Sequence, residues 1–176
     1  MGQRETHDYY ATEPKATELL LKLETFNENI WECACGEGHI SEVLKTNGYK
    51  VYSSDLINRG YGEVRDFLSL ENQEWNGDII TNPPYKYSKE FIEKALAIIP
   101  NGNKIAMFMG IQFLEGKSRK QFYKENPPVS IYVSSSRLNC AKNGDFEKYK
   151  QNSARCYAWY IWQKGHTGET VLKWFN

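Results

Sequence analysis

Four short runs of β-forming residues, each closed by a polar side chain, restrict the folds that this 176-residue chain can adopt. The runs end near Glu32, Asp55, Asp66 and Asn82, and helical patterns follow the first and the fourth. Strands that alternate with helices predict a parallel sheet. Because ligands of such sheets bind at the carboxyl ends of the strands, we expect the four polar side chains to line one crevice.

Helix boundaries follow from capping residues and apolar spacing. Thr12 is the predicted cap of a first helix that runs to Leu23, and Gly48 is predicted to end a second helix. Ser88 is the predicted cap of a third helix with an apolar face. Residues 113–124 read as a basic helix that stops before a pair of prolines.

The last third of the chain favours strands. β-rich runs cover residues 129–135 and 156–163, a polar segment separates them, and residues 170–175 form a candidate edge strand. The fold is therefore predicted to be α/β, with a Rossmann-like, mostly parallel sheet, helices on both faces and an antiparallel terminal hairpin. The length suits one domain, so we expect residues 1–176 to share a single core.

Composition argues against a membrane protein and a metalloprotein. The sequence has no apolar run of the length that spans a bilayer, and its first residues do not resemble a signal peptide, so we expect a cytoplasmic protein. The four cysteines do not have zinc-binding spacing. We expect them to fill a reduced interior and to bind no metal; they are Cys33, Cys35, Cys140 and Cys156.

The net charge is zero, but it is distributed unevenly along the chain. Residues 116–164 contain ten basic and three acidic residues, which gives this region a net charge of +7 and the remainder −7. Such asymmetry favours a polyanionic partner such as a nucleic acid, although a solvated charged surface has the same composition.

A glycine turn follows the first β run. Gly36 and Gly38 allow the backbone to approach a ligand closely, and the helix that follows presents free N–H groups. Asp55 follows the second run, where its carboxylate can accept hydrogen bonds from both hydroxyls of a ribose. These features suit NAD and S-adenosylmethionine equally.

Two residues favour binding of S-adenosylmethionine over binding of NAD. The dinucleotide motif would need a third glycine at position 41, where this chain has Ser41. Glu32, just before the turn, would repel a pyrophosphate but suits the cationic amino-acid portion of S-adenosylmethionine. We also expect Asp66 to accept a hydrogen bond from the adenine amino group and Phe67 to pack against the adenine ring.

The segment Asn82-Pro83-Pro84-Tyr85 carries the predicted chemistry. An aryl amino nitrogen is a poor nucleophile because its lone pair is delocalised into the ring. The Asn82 carboxamide oxygen and the Pro83 carbonyl can each accept one of its N–H bonds, and Pro84 keeps the chain extended. Tyr85 can stack on the base and fix its position, so methyl transfer gains from orientation and electrostatic support.

Together these motifs resemble the amino-methylating class I S-adenosylmethionine-dependent methyltransferases, and within them the phage-type N6-adenine DNA methyltransferases. The resemblance implies that Asn82, Pro83, Pro84 and Tyr85 are catalytic. It implies a cofactor site made of eight residues: Tyr10, Thr12, Glu32, Gly36, Gly38, Asp55, Asp66 and Phe67. Tyr10 and Thr12 resemble the N-terminal segment that closes over the methionine part of the cofactor.

The substrate is expected to be DNA, and the larger enzymes of this family carry a target-recognition domain that we do not expect here. Basic and aromatic residues are then the candidates for gripping a strand with a flipped base: Lys117, Arg119, Lys120, Arg137, Lys142 and Phe146. The same motif also serves protein glutamine methyltransferases and RNA base methyltransferases. A non-catalytic subunit that binds S-adenosylmethionine is a further alternative.

Overall fold

The computed structural model describes residues 9–71, 73–136, 138, 140–142, 146 and 156–176. Within these residues the strands are β1 (Tyr10–Thr12), β2 (Asn29–Glu32), β3 (Lys50–Asp55), β4 (Glu63–Val64), β5 (Asp78–Thr81), β6 (Lys104–Gly110), β7 (Ser130–Ser134), β8 (Cys140–Lys142), β9 (Tyr157–Gln163) and β10 (Val171–Phe175). The α-helices are α1 (Pro14–Leu23), α2 (His39–Thr46), α3 (Ser88–Ile98) and α4 (Lys120–Glu125).

The central sheet has the strand order β10-β7-β9-β6-β5-β2-β3-β4. All neighbouring pairs from β6 to β4 are parallel, which confirms the mostly parallel sheet predicted from strand–helix alternation. The carboxyl ends of β2, β3, β5 and β6 therefore lie at one edge, which we call the carboxyl edge. It is the edge at which the predicted polar residues were expected.

The far side of the sheet is antiparallel. Strand β9 lies between β6 and β7 and runs antiparallel to both, while β10 pairs with β7 in parallel as the edge strand. The predicted terminal hairpin and the edge strand are thus confirmed. The reversal also brings Tyr157, the first residue of β9, to the carboxyl edge opposite Gly110.

Helices cover both faces of the sheet, as predicted. Leu20 of α1 and Leu44 of α2 are fully buried in a core on one face. Ile92 of α3 and Phe122 of α4 belong to a second core on the other face. The apolar runs along β5, β6 and β9 are buried on both sides, as expected for strands sandwiched between two helical layers.

The predicted cap of the first helix is wrong. Thr12 belongs to β1, and α1 begins at Pro14 after Glu13, whose side chain makes no capping hydrogen bond. Proline at the first helical position has no N–H to satisfy, so the helix can start there without a side-chain cap. Strand β1 pairs antiparallel with β8, and Thr12 lies opposite Cys140 in this second, two-stranded sheet.

Two further boundaries differ from the expectation. Ser88 is the first residue of α3, after Tyr87, and its hydroxyl donates to the Tyr85 carbonyl at 3.2 Å, so it does not cap the helix. Residues 113–124 do not form one helix, because the chain breaks at Gly116, where φ is 128°. Gly48, with φ of 89°, follows α2 and confirms the predicted end of that helix.

The cysteines are free thiols, and Cys156 is exposed, which corrects the expectation that all four fill the interior. Among the described residues no helix has both the length and the apolar character needed to cross a membrane.

Candidate active site

The glycine turn is tied to the end of β3. The Gly36 N–H donates to Asp55 Oδ2 at 2.8 Å, and the Cys35 N–H donates to the Ser54 carbonyl at 2.9 Å. Gly36 and Gly38 have φ values of 55° and 87°, in the left-handed region that favours glycine. Both glycines are therefore needed for the shape of the turn, and their predicted contact with a cofactor stays a prediction.

Glu32 lies beneath this turn, 2% exposed. Its Oε2 accepts hydrogen bonds from the Ser41 N–H at 2.7 Å and from the Ser41 hydroxyl, which itself lies 2.6 Å from the Ser53 hydroxyl. Burial raises the pKa of Glu32 to about 8, against the opposing effect of the Ser41 hydrogen bonds. The Glu32 carboxyl group thus caps the first turn of α2, and its predicted contact with a cationic ligand stays a prediction.

Tyr9 covers the glycine turn. Its hydroxyl accepts a hydrogen bond from the Glu37 N–H at 3.1 Å and lies 3.1 Å from Nδ1 of His39. The Arg59 guanidinium lies 4.6 Å from the centre of the Tyr9 ring. A Cβ added to Gly36 would collide with this ring, so Tyr9 occupies the space directly above the turn.

Asp66 and Phe67, which were predicted to bind adenine after β4, differ in their exposure. Asp66 is exposed, and its Oδ1 accepts from the Leu68 N–H at 3.0 Å. Phe67 is 2% exposed and packs against Trp31 and Phe91, with ring centres 5.2 and 5.1 Å away. The expectation that Phe67 presents its ring to a ligand is therefore wrong, because the core already contacts that ring.

Asn82 lies just beyond β5, with its carboxamide fixed by β1. Its Nδ2 donates to the Tyr10 carbonyl at 3.0 Å and to the Thr12 hydroxyl at 3.0 Å. A carbonyl can only accept, so the group that faces it must be the NH₂ of the amide. The Asn82 Oδ1 therefore points away from β1, and no hydrogen bond to it is formed within the described part of the chain.

The carbonyls of Pro83 and Pro84 differ in their hydrogen bonding. The Pro84 carbonyl accepts from the Tyr87 N–H at 2.9 Å, which starts a 3₁₀ turn over Tyr85–Tyr87. Pro84 itself is extended, with φ of −60° and ψ of 122°. Within the described part of the chain no residue donates to the Pro83 carbonyl.

Tyr85 stands in an aromatic cluster. Its ring stacks on Tyr10 with centres 6.1 Å apart and lies 6.5 Å from the ring of Tyr157. Its hydroxyl lies 3.9 Å from the Cys140 sulfur. Burial raises the pKa of Tyr85 well above its usual value, so it is a neutral phenol at physiological pH.

The predicted substrate-binding residues are not all placed alike. Lys117 and Lys120 are exposed. Arg119 is partly buried; its Nη2 donates to the Gln112 and Glu115 carbonyls, and its guanidinium lies 4.9 Å from the Phe113 ring. Its assignment to the substrate stays a prediction.

The remaining three candidates come from the long connection after β7. Phe146 contacts the His39 ring with centres 5.3 Å apart, so it lies near the glycine turn. Arg137 and the Lys142 side chain lie outside the part of the chain that the structure describes.

Several residues at the site were not foreseen from the sequence. Tyr9, Cys140 and Tyr157 reach it only through the pairing of β1 with β8 and of β9 with β6. Leu56 follows Asp55 directly and is 55% exposed. An exposed apolar residue next to a predicted ribose ligand is a signal that the sequence did offer. Among the described residues, no group of three or more His, Cys, Asp or Glu side chains could hold a metal ion.

By sequence, the chain matches no family model and no curated protein. By structure, it is similar to a candidate class I S-adenosylmethionine-dependent methyltransferase from Listeria monocytogenes, with a TM-score of 0.61 and 13% identity over 92% of this chain. A candidate RNA methyltransferase from Pyrococcus horikoshii gives 0.62 and 14% identity over 88% of this chain and 86% of its own length. The type IIG restriction endonuclease BpuSI gives 0.64 and 12% identity over 94% of this chain.

The chain spans 63% of the Listeria protein and 26% of the endonuclease. These likenesses, with the parallel sheet and its antiparallel β9, show that the chain has the fold of class I S-adenosylmethionine-dependent methyltransferases.

Proposed function

We propose that this chain transfers a methyl group from S-adenosylmethionine to the N6 amino group of adenine in DNA. The observation that carries the proposal is the orientation of Asn82, whose NH₂ is held by β1 so that Oδ1 points away from that strand. Oδ1 and the carbonyl of the next residue, Pro83, supply the two acceptors that the two N–H bonds of an exocyclic amine require.

The cofactor fit rests on the glycine turn and on Asp55. A Cβ at Gly38 would collide with the ring of Tyr61, as one at Gly36 would with Tyr9, so the turn leaves room only for a bare backbone. Each Asp55 oxygen accepts one backbone N–H, from Gly36 or Ile57, and keeps a lone pair for a ribose hydroxyl. When bound, S-adenosylmethionine supplies an electrophilic methyl group on a sulfonium centre.

The residues of this chain then act by placement. Asn82 Oδ1 and the Pro83 carbonyl accept hydrogen bonds from the two N–H groups of the amine, which turns the nitrogen lone pair toward the methyl group. As the N–C bond forms, the S–C bond breaks, and the methylated amine then releases one of its N–H protons to water. The positive charge that develops on the nitrogen is stabilised by these two dipoles. Tyr85 holds the base by stacking, and the base has to displace Tyr10 or share the Tyr85 face with it.

The charge distribution supports a nucleic acid as substrate. The resemblance of the motif Asn82-Pro83-Pro84-Tyr85 to that of N6-adenine DNA methyltransferases supports DNA. The decisive experiment offers methyl-labelled S-adenosylmethionine with DNA, RNA and cell protein in separate reactions, followed by nucleoside mass spectrometry. We expect N6-methyladenine in DNA. Label found only in RNA or only in protein would replace the DNA assignment with the corresponding alternative.

Asn82→Ala separates chemistry from binding. We expect methyl transfer to fall by about a hundredfold or more, because the variant loses an acceptor that acts on the amine in the transition state. Cofactor affinity, measured by calorimetry with S-adenosylhomocysteine, should stay within about twofold. Near-normal turnover of Asn82→Ala would mean that the proline motif is only a turn.

A further inference from the structure

Strand β1 reaches across 70 positions of sequence to hold the proposed catalytic amide. Thr12 is 3% exposed, and its Oγ1 and the Tyr10 carbonyl both accept from Nδ2 of Asn82, which also lies 3.9 Å from the Cys140 sulfur. The distances to Thr12 and Tyr10 are both 3.0 Å, which is ordinary for a neutral hydrogen bond.

These two contacts decide which end of the carboxamide faces the reaction. If the amide were flipped, Oδ1 would stand 3.0 Å from the Tyr10 carbonyl oxygen, and two acceptors would face each other. The Thr12 hydroxyl accepts from the same NH₂ and so restricts rotation of the side chain about its last bond. The strand itself does not need this hydroxyl, since β1 is already paired with β8 over three residues.

We propose that Thr12 is a positioning residue, which orients the Asn82 carboxamide so that Oδ1 is presented to the target amine. The inference rests on the proposed function and adds a role for Thr12 that differs from cofactor binding. It acts through Asn82 and requires no contact between Thr12 and the substrate.

Thr12→Val keeps the shape of the side chain and removes the acceptor. We expect kcat to fall roughly three- to tenfold, the effect of one neutral hydrogen bond, with KM for DNA and for cofactor within about twofold. Thr12→Ser should restore kcat to within about twofold of the wild type. The matched control is Thr17→Val on α1, since Thr17 is fully buried and its hydroxyl has no partner in the described structure.

A second measurement does not depend on turnover. In ¹⁵N spectra the Asn82 side-chain amide is assigned by its disappearance in Asn82→Asp, and in Thr12→Val one of its two protons should move upfield and exchange faster. Unchanged amide signals and unchanged kcat in Thr12→Val would overturn the inference. So would an equal loss in Thr12→Ser, or a loss of kcat that only follows a lower melting temperature.

The two hypotheses fail separately. A wild-type protein that methylates none of DNA, RNA and protein refutes the proposed function. The amide spectrum still decides whether Thr12 holds Asn82.

Discussion

Glu32 is a carboxyl group placed where water does not reach it. Burial raises its pKa to about 8, whereas its value in an unfolded chain is 4.5. Between these two values the folded protein holds a proton that the unfolded chain has lost. The contribution of Glu32 to the free energy of unfolding is therefore greatest below pH 4.5 and falls as the pH rises toward 8.

Glu32→Gln tests this sign. The amide keeps an acceptor for the Ser41 N–H but does not ionise, so we expect the fall in free energy of unfolding between pH 5 and 8 to be smaller than in the wild type. Urea unfolding at several pH values measures it. Parallel pH profiles for the two proteins would show that Glu32 is already ionised in the folded state.

Single residues also show what the sequence could and could not predict. Glu32, Asp55 and Asn82 were placed correctly at the carboxyl edge, because the end of a strand can be read from local patterns. Phe67 was assigned to a ligand and instead packs in the core, and Arg119, assigned to the substrate, also bonds to carbonyls of its own chain. Composition cannot distinguish an aromatic or a cation that serves the fold from one that serves a ligand.

At the level of elements, the strands were predicted correctly and the helix caps wrongly, for different physical reasons. The sheet follows from burial, which leaves an apolar pattern in its central strands. Thr12 and Ser88 are good capping residues, but their hydroxyls bond to Asn82 and to the Tyr85 carbonyl. Such partners lie far away in the sequence or in a turn, so no local rule anticipates them.

The contact between Tyr9 and the glycine turn can be tested by mutation. Gly36→Ala places an L-residue at φ of 55°, which costs about 1–2 kcal/mol, and adds a collision with Tyr9. We expect Gly36→Ala to lower the free energy of unfolding more in the wild-type background than in the Tyr9→Ala background, with a coupling energy of about 0.5–3 kcal/mol. Urea unfolding of the four proteins measures the cycle.

Gly48→Ala is the control for this cycle. Gly48 has φ of 89°, but nothing lies within 4 Å of an added Cβ, so its variant carries strain without collision. Its cost should be the same with or without Tyr9. Additive effects of Gly36→Ala and Tyr9→Ala would show that Tyr9 does not cover the turn in solution.

For the molecule as a whole, the uneven charge is the property that supports the proposed nucleic-acid partner. The segment that follows β6 leaves the carboxyl edge at Gly110 and carries Lys117, Lys120 and Lys124, all exposed. The proposed acceptors of Asn82 and Pro83 lie at the same edge. We therefore expect this basic segment to bind phosphates of a strand whose base reaches Asn82.

The replacement of Lys117, Lys120 and Lys124 by alanine should weaken DNA binding and flatten its dependence on salt. For every phosphate that the variant no longer neutralises, the slope of log K against log salt becomes shallower by about 0.9. The matched control replaces Lys15, Lys22 and Lys50, which are also exposed but lie in the acidic part of the chain. It changes net charge by the same amount, so a general charge effect would alter both triple variants alike. Fluorescence anisotropy with a labelled duplex at several salt concentrations measures the slopes. A slope that changes only for the first triple variant would assign phosphate binding to this segment, whereas equal slopes would place the DNA on another face of the molecule.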